Sequence, residues 1–156
     1  MDRDRTAYPS LGNYRITLPK SIKNVCSVKL VTAIIPSITS ENFIALDIPE
    51  LQTNNLFNSA NDTVYNSSVI LPITDPENST GMININCSYL NHIRHEYTNY
   101  INIDKLTIGL KKLDGSYYSF GNDTSPPTAP TTNLQNYFVF CVEYLQKDIF
   151  RTNPIF

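Results

Sequence analysis

The stretch of this chain with the most chemical promise is His92-Ile-Arg-His95-Glu96. Two histidines at i and i+3 could ligate zinc if a helix brought both rings to one face. Zinc needs a third or fourth ligand, however, and none at a fitting spacing lies nearby. Cys87 sits on the buried phase of a strand pattern and points elsewhere. The plainer reading is a polar linker carrying two ordinary histidines. They are the only 2 histidines in the chain, so a Ser-His-Asp or Cys-His site would also have to use one of them, and no spacing does so. The 5 glycines are dispersed, which leaves no phosphate-cradling loop or dinucleotide fingerprint. Asp2, Asp4, Asp47 and Asp104 show no grouping of the kind paired-carboxylate glycoside chemistry needs. The 10 Tyr and 7 Phe could stack on single-stranded nucleic acid, but most fall on inward strand phases, where core packing explains them. A net charge of −2 with no strong basic run lacks the footprint of a nucleic-acid binder. The expectation is a protein that is not an enzyme and that has no catalytic residue, metal or cofactor.

Cys26, Cys87 and Cys141 are 3 in number and far apart, unlike the even, closely spaced cysteines of a secreted framework. Each lies in an apolar run, where a free thiol acts as a small hydrophobe. The opening Met1-Asp-Arg-Asp-Arg-Thr6 has no apolar core after its charges and is not expected to be a signal peptide. No apolar run approaches the ~18 residues of a membrane span. Asn-x-Ser/Thr sequons at Asn61, Asn66, Asn78, Asn86 and Asn122 arise readily in so Asn-, Ser- and Thr-rich a chain, and are expected to be unused without a secretory context.

These residues hang on a β framework. At 156 residues the chain suits one domain. Its Tyr, Phe, Ile and Val favour pleated, half-buried strands. Asn13–Leu18 alternates, with Tyr14, Ile16 and Leu18 on one face, and Pro19 is expected to stop it. Val25–Ile35 is apolar on both faces and reads as a central strand. Phe43–Ile48, Tyr65–Ile73 and Ile83–Tyr89 follow, with a polar loop over 52–63 and a short helix or irregular linker over 91–99. Ile101 and Ile103 share one phase and Leu106, Ile108 and Leu110 the other, which predicts a β-bulge at Asp104-Lys105. Asp114-Gly115 predicts a hairpin turn into a return strand at Tyr117, Tyr118 and Phe120. A Pro-rich loop over 122–133 leads to a last buried strand, Tyr137–Leu145.

The fold expected is all-β, an antiparallel β-sandwich. Val28, Leu30, Ile34, Ile83, Ile85, Leu106, Ile108 and Phe140 are its expected core. The sandwich covers 13–145, with an N-terminal arm over 1–12 and a C-terminal arm over 146–156. Arg3, Arg5 and Tyr8 in the first arm, and Phe150, Arg151 and Phe156 in the second, are candidate assembly contacts. Extended arms with apolar anchors serve best against a partner, although frayed ends look the same in sequence.

Tyr8-Pro-Ser10, Asn13-Tyr-Arg-Ile-Thr-Leu-Pro19 and Ile22-Lys-Asn-Val-Cys-Ser-Val-Lys-Leu-Val-Thr-Ala-Ile-Ile-Pro36 together resemble a family of small virion proteins from nucleocytoplasmic large DNA viruses. Phe43-Ile-Ala-Leu-Asp-Ile-Pro-Glu-Leu51 is similar to that family's next segment, and Ile103–Leu110 with Asp114-Gly115 and Tyr118-x-Phe120 to its C-terminal hairpin. The resemblance covers most of the chain in order. It implies a single jelly roll of seven to eight strands acting as a minor capsid, cement or penton-type protein, located in the virion and assembled in the host cytoplasm. Partners would be a major capsid protein and neighbouring minor capsid proteins, with a pentamer if it is a penton. The loops 52–63 and 122–133 and the tail fall outside the resemblance, so penton and cement positions both stay open. The alternative reading is a carbohydrate- or receptor-binding β-sandwich module.

Overall fold

The structure, a computed structural model, describes residues 3–38, 41–51, 56–58, 64–73, 81–87, 94–112 and 114–146, with backbone alone at 56–58 and 64–66. Its strands are β1 (Asn13–Pro36), β2 (Phe43–Asp47), β3 (Leu56–Asn58), β4 (Val64–Asn66), β5 (Val69–Pro72), β6 (Met82–Asn86), β7 (Arg94–Lys111) and β8 (Tyr137–Tyr144). All pairings are antiparallel. The described residues contain no α-helix, only short 3-10 turns at Pro49–Leu51 and Thr132–Leu134.

The all-β antiparallel expectation holds, but the arrangement differs from two facing sheets. A 6-stranded sheet runs β5-β2-β7-β1-β6, with β8 also on β1, and it curls into a half-barrel, while β3 and β4 form a separate ladder. The reason lies in β1. Pro19 does not stop it, and β1 continues for 24 residues. Along one edge it pairs first with β7 and then with β6; along the other it pairs with β8. One strand thus does the work expected of two in separate layers.

Curling is achieved by register shifts. Thr17 faces Lys105 and Ile22 faces Ile103, so residues 18–21 of β1 lie opposite Asp104 alone. The phase slip read at Asp104-Lys105 is therefore present, but the extra residues belong to β1. Pro19 is tolerated because it sits in this unpaired stretch. A second shift, between Ile22 and Val25, contains Asn24 at φ 55, a conformation Asn accepts more readily than most residues. Asn24 is held there by its N–H, which donates to Asn102 Oδ1 at 3.1 Å.

A further shift, beyond one between Val25 and Ser27, corrects the expected core. Leu30 pairs with Phe140 but Thr32 with Val139, leaving Val31 extra. The inward phase passes from Val28 and Leu30 to Ala33 and Ile35, all buried, and Ile34 turns to the other face, half-exposed. Ile83, Ile85 and Ile108 are buried as expected, and Leu106 and Phe140 pack against the core from its margin.

Other differences are local. The linker expected over 91–99 is strand from Arg94 onward. Tyr65–Ile73 is broken into β4 and β5 by Ser67 and Ser68, which are buried and bond the backbone of β2's end. Ser68 Oγ accepts from Ile48 N–H at 2.8 Å, and Ser67 Oγ donates to Leu46 O at 3.2 Å. The Asp114-Gly115 turn forms, with Gly115 at φ 81 and Lys112 N–H donating to Ser116 O at 2.9 Å. Its return strand shrinks to a single bridge between Lys111 and Tyr117. The loop expected over 52–63 contains β3.

Candidate assembly surface

The first surface is built from the N-terminal residues. Asp4 closes a local turn by accepting from Thr6 and Ala7 N–H at 3.0 and 3.1 Å. This turn aims Arg3 inward. Its Nη2 donates to Asp123 Oδ2 at 2.8 Å and its Nη1 to Pro9 O at 3.0 Å. The Arg3 and Asp123 side chains are 6% and 0% exposed. Asp123 also accepts from Thr124 N–H, Thr131 N–H and the Gln135 amide at 2.8, 2.9 and 2.7 Å. Burial alone would raise its pKa; the hydrogen bonds from Thr131, Gln135 and Thr124 outweigh that and bring it to about 2. Arg5 Nη1 donates to Thr124 O and Thr128 O at 3.0 and 2.9 Å, and Tyr8 packs against the core.

The described part of the N-terminal arm, from Arg3 onward, thus folds back on its own chain as a clasp. Two guanidinium groups are directed to backbone and carboxylate oxygens of the same chain because the Pro-rich loop presents them. Arg3, Arg5 and Tyr8 come together here; Phe150, Arg151 and Phe156 lie outside the described residues. Between the clasp and the sheet is a cleft of about 440 Å³ lined by Arg3, Arg5, Tyr14, Pro126, Gln135 and Tyr137. Tyr14 is buried, its hydroxyl donates to Asn136 Oδ1 at 2.6 Å, and burial raises its pKa.

The second surface is β8. It reads Tyr-Phe-Val-Phe-Cys-Val-Glu-Tyr, with period-2 alternation. Phe138, Phe140 and Val142 face the core from its margin, whereas Tyr137, Val139, Cys141 and Glu143 face out. Tyr137 and Val139 are 57% and 53% exposed. This corrects the expectation of a buried final strand: among the described residues β8 pairs with β1 alone, so it is an edge. Apolar content hid this, because a run with hydrophobic residues on both faces reads as covered. Glu143 on the outward phase was the one signal. At the far end Leu145 N–H donates to Asn24 O at 3.0 Å, beside an open cleft lined by Lys20, Lys23, Asn24, Tyr144, Leu145 and Gln146.

Among the described residues, those with chemical promise do not converge. His95 is buried at 3% exposure in β7, opposite Val28, and burial lowers its pKa; His92 lies outside the described residues. Glu96 is exposed and pairs with Arg94, which also reaches Glu143 at 2.7 Å. Asp47 pairs with Lys111 at 2.6 Å, Asp104 is exposed on β7, and Asp2 is outside the described residues. Among the described residues no group of three or more His, Cys, Asp or Glu is placed to hold a metal ion. The thiols are free: Cys87 is buried, Cys26 half-buried and Cys141 exposed, so only the first fits the expected small-hydrophobe role fully. Among the described residues no helix is long and apolar enough to cross a membrane.

No known protein-family model matches this chain, and no curated protein matches it.

Proposed function

We propose that this chain is a structural component of the capsid of a large DNA virus, a minor capsid, cement or penton-type protein that acts by assembly rather than catalysis. The observation that carries the reading joins sequence to topology. Among the segments that resemble small virion proteins, 13–19 with 22–36 and 43–51 follow closely in the chain, whereas 103–110 lies far downstream. They become β1, β2 and part of β7, which are hydrogen-bonded neighbours in the order β2-β7-β1. A resemblance spread over the sequence is thus one continuous piece of sheet, as a shared framework would be. The jelly-roll architecture belongs to this proposal, with the curled sheet as its support. Partners would be a major capsid protein and neighbouring minor capsid proteins in a virion assembled in the host cytoplasm.

The test is to raise antibody to the chain, purify particles from infected cells through a density gradient, and ask whether the protein co-sediments with the major capsid protein and survives a salt wash. Stoichiometric co-sedimentation is expected. Its absence from particles, together with saturable sugar binding by the isolated monomer, would replace this reading with a carbohydrate- or receptor-binding module.

A further inference from the structure

We propose that the outer edge of β8 seats an extended strand from another protein, a segment apolar at alternate positions and carrying carboxylates at both ends. The inference deepens the assembly reading and takes its biological setting from it, but its physical basis is separate.

An edge strand offers a row of unpaired backbone donors and acceptors, and natural proteins blunt such rows with Lys, Pro, bulges or shortness. β8 has none of these outward defences. It is 8 residues long, without Lys or Pro, and Glu143 is its one charge. That charge is already engaged by Arg94 at 2.7 Å. Backbone pairing along such an edge gives affinity, while side-chain pockets at alternate positions give specificity. The outward Tyr137 and Val139, with Cys141, supply the apolar stripe.

Charge selects the occupant. At the Tyr137 end the clasp contributes Arg5, which donates to the Thr124 and Thr128 carbonyls; among the described residues no carboxylate pairs with it. Asp4 is on the same arm but does not line that cleft, and its carboxylate caps its own turn. At the Tyr144 end Lys20 and Lys23 are exposed, and among the described residues no carboxylate pairs with either. Between the two basic ends runs β8, 8 residues that span about 24 Å at the strand rise. A second copy of this chain would set its own basic ends against these, whether it ran parallel or antiparallel, and like charges suppress such pairings. A strand with carboxylates at each end meets complementary charge in either direction.

The experiment uses the full chain and a fluorescein-labelled peptide, Glu-Glu-Thr-Val-Thr-Val-Thr-Val-Glu-Glu, with a Lys-ended version and a version N-methylated at alternate amides as controls. Anisotropy should show saturable binding of the acidic-ended strand, at least about tenfold tighter than the Lys-ended one. Hydrogen exchange should show the β8 amides that point away from β1 open in the free protein and protected by the peptide. The surface variant K20E/K23E should retain its melting temperature, lose about tenfold in affinity for the acidic-ended strand and lose the preference for it. Equal binding of both peptides, undiminished binding of the N-methylated strand, or β8 amides already protected in the free chain would each overturn the inference, as would a dimer joined through β8. If the wild-type chain enters particles and K20E/K23E enters equally, this inference fails while the assembly reading stands. If the wild-type chain is absent from particles, the assembly reading fails whatever the peptides do.

Discussion

Arg3 and Asp123 are separated by 120 positions in sequence and meet at 2.8 Å, each side chain almost fully withdrawn from water. Everything else in the clasp follows from that pair, since the carboxylate that holds Arg3 also fixes both ends of the Pro-rich loop through Thr124, Thr131 and Gln135.

Removing one member of a buried ion pair leaves the other charge uncompensated. Asp123→Ala should therefore destabilise the domain by about 3–5 kcal/mol in urea unfolding. Arg3→Met should cost less, because Asp123 retains its three neutral donors. Deleting residues 1–9 should lower the melting temperature measurably. An unchanged melting temperature would return these residues to the status of a detachable arm.

Acid should weaken the protein in two windows. His95 has a lowered pKa, so the unfolded chain binds its proton more readily, and stability should decline as pH falls below 6.5. Asp123 is lowered to about 2, so its contribution is present above 3.8 and is lost as pH falls towards 2. Thermal melts from pH 8 to 2 should show both, and His95→Gln should flatten the upper window only.

The shift at Val31 can be tested with neighbouring isoleucines. Ile35→Ala and Ile85→Ala, at 0% and 3% exposure, should each cost about 2–5 kcal/mol. Ile34→Ala, on the opposite face, should cost about 1 kcal/mol or less. Equal losses at 34 and 35 would mean that the inward phase does not change there.

Gly12 is constrained by contact rather than by its torsion angles. A Cβ there would stand 1.9 Å from the Tyr118 carbonyl oxygen, and the Gly12 carbonyl already accepts from Leu110 N–H at 2.8 Å. Gly12→Ala must displace backbone on both sides and should destabilise by about 1–3 kcal/mol or more. Chemical denaturation of the soluble variant is the measurement.

What the sequence made legible was what depends on local pattern. The alternation of Ile83, Ile85 and Cys87, the Asp114-Gly115 turn and the phase slip near Asp104 were all readable because neighbours along the chain decide them. Pro19 misled, since its effect depends on whether the opposite strand supplies a partner, and here none is paired. Ile34 was misassigned because a single extra residue at Val31 reverses every later side chain. The clasp could not be read at all. Arg3 and Asp123 carry no mutual signature in sequence, and only the closed loop brings them together. β8 looked buried because apolar content reports how sticky a strand is, not whether anything lies beside it.

The length of β1 also sets an order of events during synthesis. It leaves the ribosome before every other described strand, and β8, which completes it, comes last among them. Asn24 and Leu145 close that pairing across 121 positions. At the usual elongation rate the interval is roughly 6–24 s. Through it β1 must wait with one side of its backbone unsatisfied and its valines and isoleucines uncovered. Such distant pairing also folds slowly once the chain is whole. The nascent protein is therefore a natural client for a chaperone that shields bare strands, and a message truncated before the codon for Tyr137 would yield a product that aggregates rather than a smaller working domain.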